Sequence, residues 1–311
     1  MKRPVVIVSP SLSVPRKQGR ARWAPSVVAW PSRMRSSQSP LLLPLAALFV
    51  AFFVAPLLVL VALSLTSDVA MTAWTAANYV KFFTDRFNYS ILWDTLFLGV
   101  KATLVCLVFG YPIAWICARA SARWQSVLVF FVILPILTSV VVRTFAWIVI
   151  LGRQGVLNQA ALAVGLTHEP LRLLYTEPGV IMVLAQVQMP LMVLPILTVL
   201  TKIDPNLADA SRVLGAGEWR TLWRVTLPLS LPGVIAGCIL TYSACVTAFV
   251  TQTLIGGARL IYMPLHIYQQ AIGANNWPFA AAISVIFMVA VLAAVALLTL
   301  IGRKSETYGG T

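Results

Sequence analysis

Six stretches of this chain run long and apolar, almost without charge, and they restrict the fold more than any motif does. They are Leu41–Leu65, Ile91–Ala118, Val127–Leu151, Gly179–Leu200, Leu231–Leu254 and Phe279–Ile301. A bilayer's hydrocarbon core is about 30 Å thick and a helix rises about 1.5 Å per residue, so about 20 apolar residues cross it. No water is present there to satisfy peptide groups, so each run must close its own hydrogen bonds as a helix. The expectation is an all-α integral membrane protein with about six transmembrane helices. Composition agrees: 59% of the 311 residues are hydrophobic and 10% are charged, against roughly 25% charged in a soluble domain.

The basic residues orient the chain. With the N-terminus inside, 16 of the 23 lysines and arginines fall on the cytoplasmic side. Five lie outside: Lys81, Arg86, Arg153, Arg172 and Arg259. Lys101 and Arg143 fall within spans. Cytoplasmic loops collect cations, so both termini are expected inside and the net charge of +14 reflects topology, not nucleic-acid binding. Lys101, near the outer face, is expected to snorkel.

Residues 1–38 are rich in Pro, Ser and Arg and are expected to be a basic disordered tail. Met34 offers an alternative start. The run at Leu41 is too long for a cleaved secretory signal. Cys106, Cys117, Cys238 and Cys245 lie in apolar runs without metal-ligand spacing and read as small buried residues. Thr66–Ser90 reads as an interfacial stretch, and Gly152–Pro178 as a short helix and turn. No His, Asp or Ser constellation suggests an enzyme.

One cytoplasmic loop, residues 203–228, differs from the rest. Asp204 suits a helix N-cap and Pro205 the first turn. Leu207, Ala210 and Leu214 then share a face. Gly215 suits the left-handed residue that ends a helix. A second short helix is expected over Glu218–Val225, with Leu227 and Pro228 marking the return to the membrane.

This stretch resembles the EAA loop of ATP-binding-cassette (ABC) importer permeases. That pattern is an acidic and small triplet, three residues, glycine, nine residues, then a closing Ile-x-Leu-Pro, which here is Val225-Thr226-Leu227-Pro228. Asp209, Ala210 and Ser211 stand for the triplet, Gly215 for the glycine, and Leu227-Pro228 for the close. Asp replaces Glu and Ser replaces the second Ala. Further segments resemble the spermidine/putrescine branch: Asn78-Tyr79, Gly110–Trp115, Val142–Trp147, Gly155–Asn158, Val193–Pro195, Gly256-Gly257 and Asn276–Pro278. That branch also handles opines and related solutes.

The resemblance implies a type I ABC importer permease fold over residues 39–304, with a cytoplasmic coupling helix and a short tail at 305–311. It implies an ABC ATPase dimer, a second permease subunit (a different chain, making a heterodimer) and a periplasmic solute-binding protein as partners. No GxxxxGK[ST] occurs, so ATP and Mg belong to the ATPase and this chain binds no cofactor. The ATPase-coupling residues implied are Leu207, Asp209, Ala210, Ser211, Leu214, Gly215, Leu227 and Pro228. Polar groups able to line a pathway are Arg143, Gln186, Gln188, Tyr242, Thr247 and Gln252; interhelical bonding is their other reading. A polyamine is the expected solute, and an opine, amino acid or other carboxylate the alternative. An ion-coupled secondary transporter would need acids or broken helices in repeated positions, and neither is evident.

Overall fold

The computed structural model describes residue 44 and residues 46–307. The expected basic tail lies outside the described residues. Six helices are long and apolar enough to cross a membrane, as the hydropathy predicts. Among the described residues the sole β feature is an isolated bridge between Thr66 and Trp74.

Residues Ala46–Ser64 are helical and apolar, and their last ten, Ala55–Ser64, form α1. The short helix α2 (Ala77–Thr84) follows, then the long span α3 (Arg86–Arg119). Next come α4 (Ala122–Leu137), α5 (Val140–Leu151), the short helix α6 (Val156–Ala163) and the span α7 (Glu177–Leu200). The loop helices are α8 (Pro205–Val213) and α9 (Glu218–Thr221), leading into the span α10 (Leu227–Val246). The chain ends with α11 (Phe249–Gly256), α12 (Met263–Tyr268) and α13 (Trp277–Thr307).

The core is the triple contact of α3, α7 and α10. Leu98, Ala102, Val183, Leu184 and Cys245 fill one part of it, and Cys106, Ala114, Met192, Val193 and Ile196 another. Hydrophobic force between spans is weak in lipid, so close backbone approach supplies the packing. Gly233 and Gly237, four apart on α10, supply it here. A Cβ at Gly233 would meet the Pro195 carbonyl oxygen at 2.9 Å, and one at Gly237 the Met192 carbonyl oxygen at 3.0 Å. All four cysteines are free; three are buried and Cys238 is half-buried, as their apolar setting implies.

Two expected spans are interrupted. The run Val127–Leu151 breaks at Thr138 and Ser139, where both backbones are extended. Pro135 sits in the last turn of α4, and the Thr138 hydroxyl donates to the Pro135 carbonyl (3.0 Å) in competition with helix bonding. By length and composition alone Val140–Ala163 also qualifies as a crossing stretch, but its helix stops at Leu151 and resumes at Val156, so α5 and α6 are separate helices. The run Leu231–Leu254 breaks at Thr247 and Ala248. There Gln252 donates its amide to the carbonyls of Cys245 (2.8 Å) and Val246 (3.2 Å), closing the end of α10. Lys101 is exposed and ion-paired. Its ammonium lies 2.6 Å from Glu177, the first residue of α7, where a helix start favours an acid.

A buried polar chain joins α12 to the start of α3. Asp85 caps α3 by accepting from the Phe87 amide and also accepts from the Asn88 side chain (3.1 Å). Because the Asn88 amide nitrogen is thus a donor, its Oδ1 accepts, and His266 Nε2–H donates to it at 2.8 Å. His266 is 2% exposed. Burial holds its pKa below the ordinary 6.5, against an opposing pull from Asp85. A depressed histidine favours folding above the unfolded pKa and loses that contribution as pH falls through the window below 6.5. The melting midpoint is therefore expected to fall between pH 7.5 and pH 5, and His266→Gln to flatten that dependence. Parallel pH–melting curves for the two proteins would remove the assignment.

Candidate functional site: a surface elbow and the polar residues of the spans

The elbow is built as the loop chemistry predicts. Asp204 caps α8, its Oδ1 accepting from the Asn206 amide at 2.9 Å. Gly215 has φ +80°, the left-handed geometry that glycine adopts without strain. The Gly215 amide bonds the Arg212 carbonyl (2.9 Å) and the Ala216 amide bonds the Ser211 carbonyl (3.1 Å). Those two bonds are a Schellman closure, and they fix the exit angle of the chain.

Three side-chain contacts brace the bend. The hydroxyls of Ser211 and of the buried Thr221 share a 3.0 Å hydrogen bond. Arg212 reaches Asp209 at 3.2 Å and Glu218 at 3.4 Å, spanning both arms. Asp209 is therefore paired within its own chain. Thr221 and the two-armed role of Arg212 are not readable from sequence, because both depend on how sharply the chain turns at Gly215.

The second arm differs from expectation. α9 passes through a wide π turn at Leu222–Thr226 directly into α10. Pro228 is the reason. A proline inside a helix lacks a donor and clashes with the carbonyl four residues back, and a widened turn there relieves both. Leu227 and Pro228 are the first two residues of α10.

What the elbow leaves uncovered defines it. Val213 and Leu214 are each 87% exposed, Trp219 75% and Leu207 46%. Asp209, Ala210 and Gly215 are exposed beside them, and a Cβ at Gly215 would meet nothing within 4 Å. The elbow is thus internally braced, with an apolar outer face and an open notch at its bend. Chemically it can bind another surface; it cannot catalyse.

The pathway candidates do not converge on one cavity. Tyr242 is 2% exposed and packs where Gly99 meets α10. Gln252 is committed to the α10 terminus. Gln188 donates to the Ala244 carbonyl (3.4 Å), tying α7 to α10. Gln186 accepts from the Trp147 indole at 3.0 Å and lines an apolar cavity of about 540 Å³ with Phe109, Phe131 and Met189. Thr247 is exposed, its hydroxyl bonded to the Ser243 carbonyl (2.7 Å). Arg143 is half-buried; its Nε and one Nη are buried without a hydrogen-bond partner among the described residues. No group of three or more metal-ligating side chains occurs among the described residues.

Comparison with known proteins agrees with this architecture. Residues 110–306 match the family described as "Binding-protein-dependent transport system inner membrane component". The spermidine/putrescine transport system permease protein PotB of Haemophilus influenzae is 34% identical over 211 residues, covering 68% of this chain and 73% of the relative. Among solved structures, a bacterial ABC transporter involved in the import of the acidic polysaccharide alginate superposes with a TM-score of 0.73 at 18% identity. That match covers 88% of this chain and 96% of the other. The alginate transporter in complex with an alginate pentasaccharide-bound periplasmic protein gives a TM-score of 0.67, also at 18% identity and over the same shares of the two chains. A family match over most of the chain, a relative above 30% identity and the shared helical architecture lead to one conclusion: this chain belongs to the binding-protein-dependent transport system inner membrane components and is a permease subunit of an ABC importer.

Proposed function

We propose that this permease carries a polyamine or related small organic cation from periplasm to cytoplasm, with its elbow seated on the cytoplasmic ATPase. The single observation behind the mechanical part is the elbow itself. A bend braced by a Schellman closure, a Ser–Thr bond and a two-armed arginine, yet exposing Val213, Leu214 and Trp219, is a rigid part made to be gripped. Apolar side chains left uncovered at this level mark an interaction site.

As a permease subunit the chain is not catalytic; ATP is hydrolysed by a separate ATPase. Under this reading Ala210, Ser211 and Gly215 let the ATPase groove approach closely, and Leu207 and Leu214 supply apolar contact. Leu227 and Pro228 carry the push into α10. The basic asymmetry of the loops supports both termini lying inside. A second, different permease completes the pathway, and a periplasmic solute-binding protein delivers the solute and sets selectivity.

The solute class follows from the PotB relative, which is named for spermidine and putrescine. One observation favours a second reading. The orphaned Nε and Nη of Arg143 suit a carboxylate, as an opine or amino acid would offer. Uptake of labelled spermidine, putrescine and a labelled opine decides between them, in cells stripped of their own systems and carrying the complete importer. Saturable, ATP-dependent polyamine uptake is expected. Opine uptake alone, with Arg143→Gln lowering it at least tenfold, would replace the polyamine reading.

A further inference from the structure

We propose that the pocket framed by Arg153, Arg172 and Arg259 is a socket for a carboxylate-rich surface of the periplasmic solute-binding protein. The inference rests on the importer reading and on the orientation given above. It adds which residues receive that partner and by what chemistry.

The pocket has a volume of about 400 Å³. It lies beyond three helix ends, just after Leu151 closes α5, just before Glu177 opens α7, and just after Gly256 closes α11. Each arginine comes from a different one of these segments, and all three are exposed. Outer loops of membrane proteins are depleted of cations. Of the five placed outside here, three surround one pocket.

Among the described residues no acid forms an ion pair with them. The ion pairs among the described residues are Lys101–Glu177, Arg212–Asp209 and Arg212–Glu218. Glu169, on the same loop as Arg172, makes none of them. Three like charges gathered around a shared hollow repel one another unless an anion joins them.

The frame that holds them is rigid. Asn158, 1% exposed, donates to the carbonyls of Gly152 (2.9 Å) and Leu171 (3.0 Å) and accepts from the Leu171 amide (2.8 Å). It thereby locks the neighbours of Arg153 and Arg172 together. The Tyr175 amide bonds the Ile255 carbonyl at 3.0 Å. The Tyr175 ring lies so close to Gly257 (φ +61°) that a Cβ there would meet it at 2.5 Å. That contact ties the Arg172 segment to the Arg259 turn. Preorganised donors bind without first losing backbone freedom, and planar guanidinium forks match carboxylates bidentately. The three arginines stand on segments between the apolar helices, not in them, which suits a soluble acidic protein better than a phosphate held in the lipid.

The test uses the assembled importer in nanodiscs and its fluorescently labelled solute-binding protein. One set of discs contains phosphatidylglycerol and a second only phosphatidylcholine. Each of Arg153→Glu, Arg172→Glu and Arg259→Glu is expected to raise Kd about tenfold and the triple variant several hundredfold, with a shallower dependence on salt. Arg86→Glu, an outer cation away from the pocket, is expected to change Kd less than about twofold. Acidic-to-lysine changes on the binding protein are expected to rescue the triple variant. Should the triple reversal misassemble on size exclusion, the single Arg→Gln variants carry the same test. Wild-type Kd in the triple variant, an equal loss in Arg86→Glu, or tight binding that disappears in phosphatidylcholine discs would each overturn the socket while leaving the importer reading intact. A wild-type importer that binds no solute-binding protein at all would overturn both.

Discussion

Gly215→Asp is expected to lower solute uptake at least about 100-fold while leaving the protein folded and inserted. The residue sits at φ +80° with open space where a Cβ would stand. Aspartate tolerates the left-handed region better than most residues, so the cost to the fold is about 1 kcal/mol. The damage falls on docking. A carboxylate projecting from the notch of an apolar face must be desolvated when a partner closes on it, at a cost of several kcal/mol. ATP hydrolysis in the assembled importer should then lose its stimulation by loaded solute-binding protein. Gly215→Asn separates charge from backbone, since it keeps the shape and conformational preference and should retain more transport. Uptake near wild type in Gly215→Asp, with normal membrane levels, would remove the elbow from the mechanism.

The second large effect lies at the opposite end of the molecule and concerns stability. A Cβ at Gly179 would fall 2.0 Å from the Leu173 carbonyl oxygen and 3.0 Å from its carbonyl carbon. Both are backbone atoms, so no side chain can swing away. The same few residues form the start of α7. The Thr176 hydroxyl donates to the Leu173 carbonyl (2.7 Å) and caps the helix toward Gly179. Gly179→Ala is expected to pry this corner apart at a cost of about 3 kcal/mol, lowering the melting midpoint by roughly 10 °C. Thermal shift on detergent-solubilised protein measures it. An unchanged midpoint would mean that the corner yields freely and that Arg172 is less firmly mounted than its contacts imply.

The existence of the spans was legible because lipid imposes length and hydropathy without regard to tertiary contacts. The interruptions were not. Pro112, Pro190, Pro195 and Pro232 all sit inside continuous helices, so a proline in an apolar run did not mark a break. The break after Pro135 needs the Thr138 hydroxyl, and the break at Thr247 needs Gln252 folding back on α10. Both partners are visible as letters but not as contacts. The first arm of the elbow and its bend were legible, since cap and bend are local: Asp204, Pro205 and Gly215 act within one or two turns. The pathway residues were less so. Hydropathy marks Tyr242 and Gln252 as polar positions in a span but gives no direction, and packing turns both inward. Arg153, Arg172 and Arg259 lie far apart along the chain, and contacts such as those of Asn158 and Tyr175 bring their segments together.

The absence of a break between α9 and α10 has a mechanical consequence. Residues Glu218–Val246 form one helical rod of 29 residues, about 43 Å long at 1.5 Å per residue. Its near end is the elbow and its far end is the interruption at Thr247. A rod of that length acts as a lever. Swinging it by about 10° about its base would carry the far end about 8 Å, enough to open or shut a passage for a slender molecule. Because Gly233 and Gly237 press the rod against α7, the two helices should travel as one beam, and the bending should concentrate at Thr247 and Ala248.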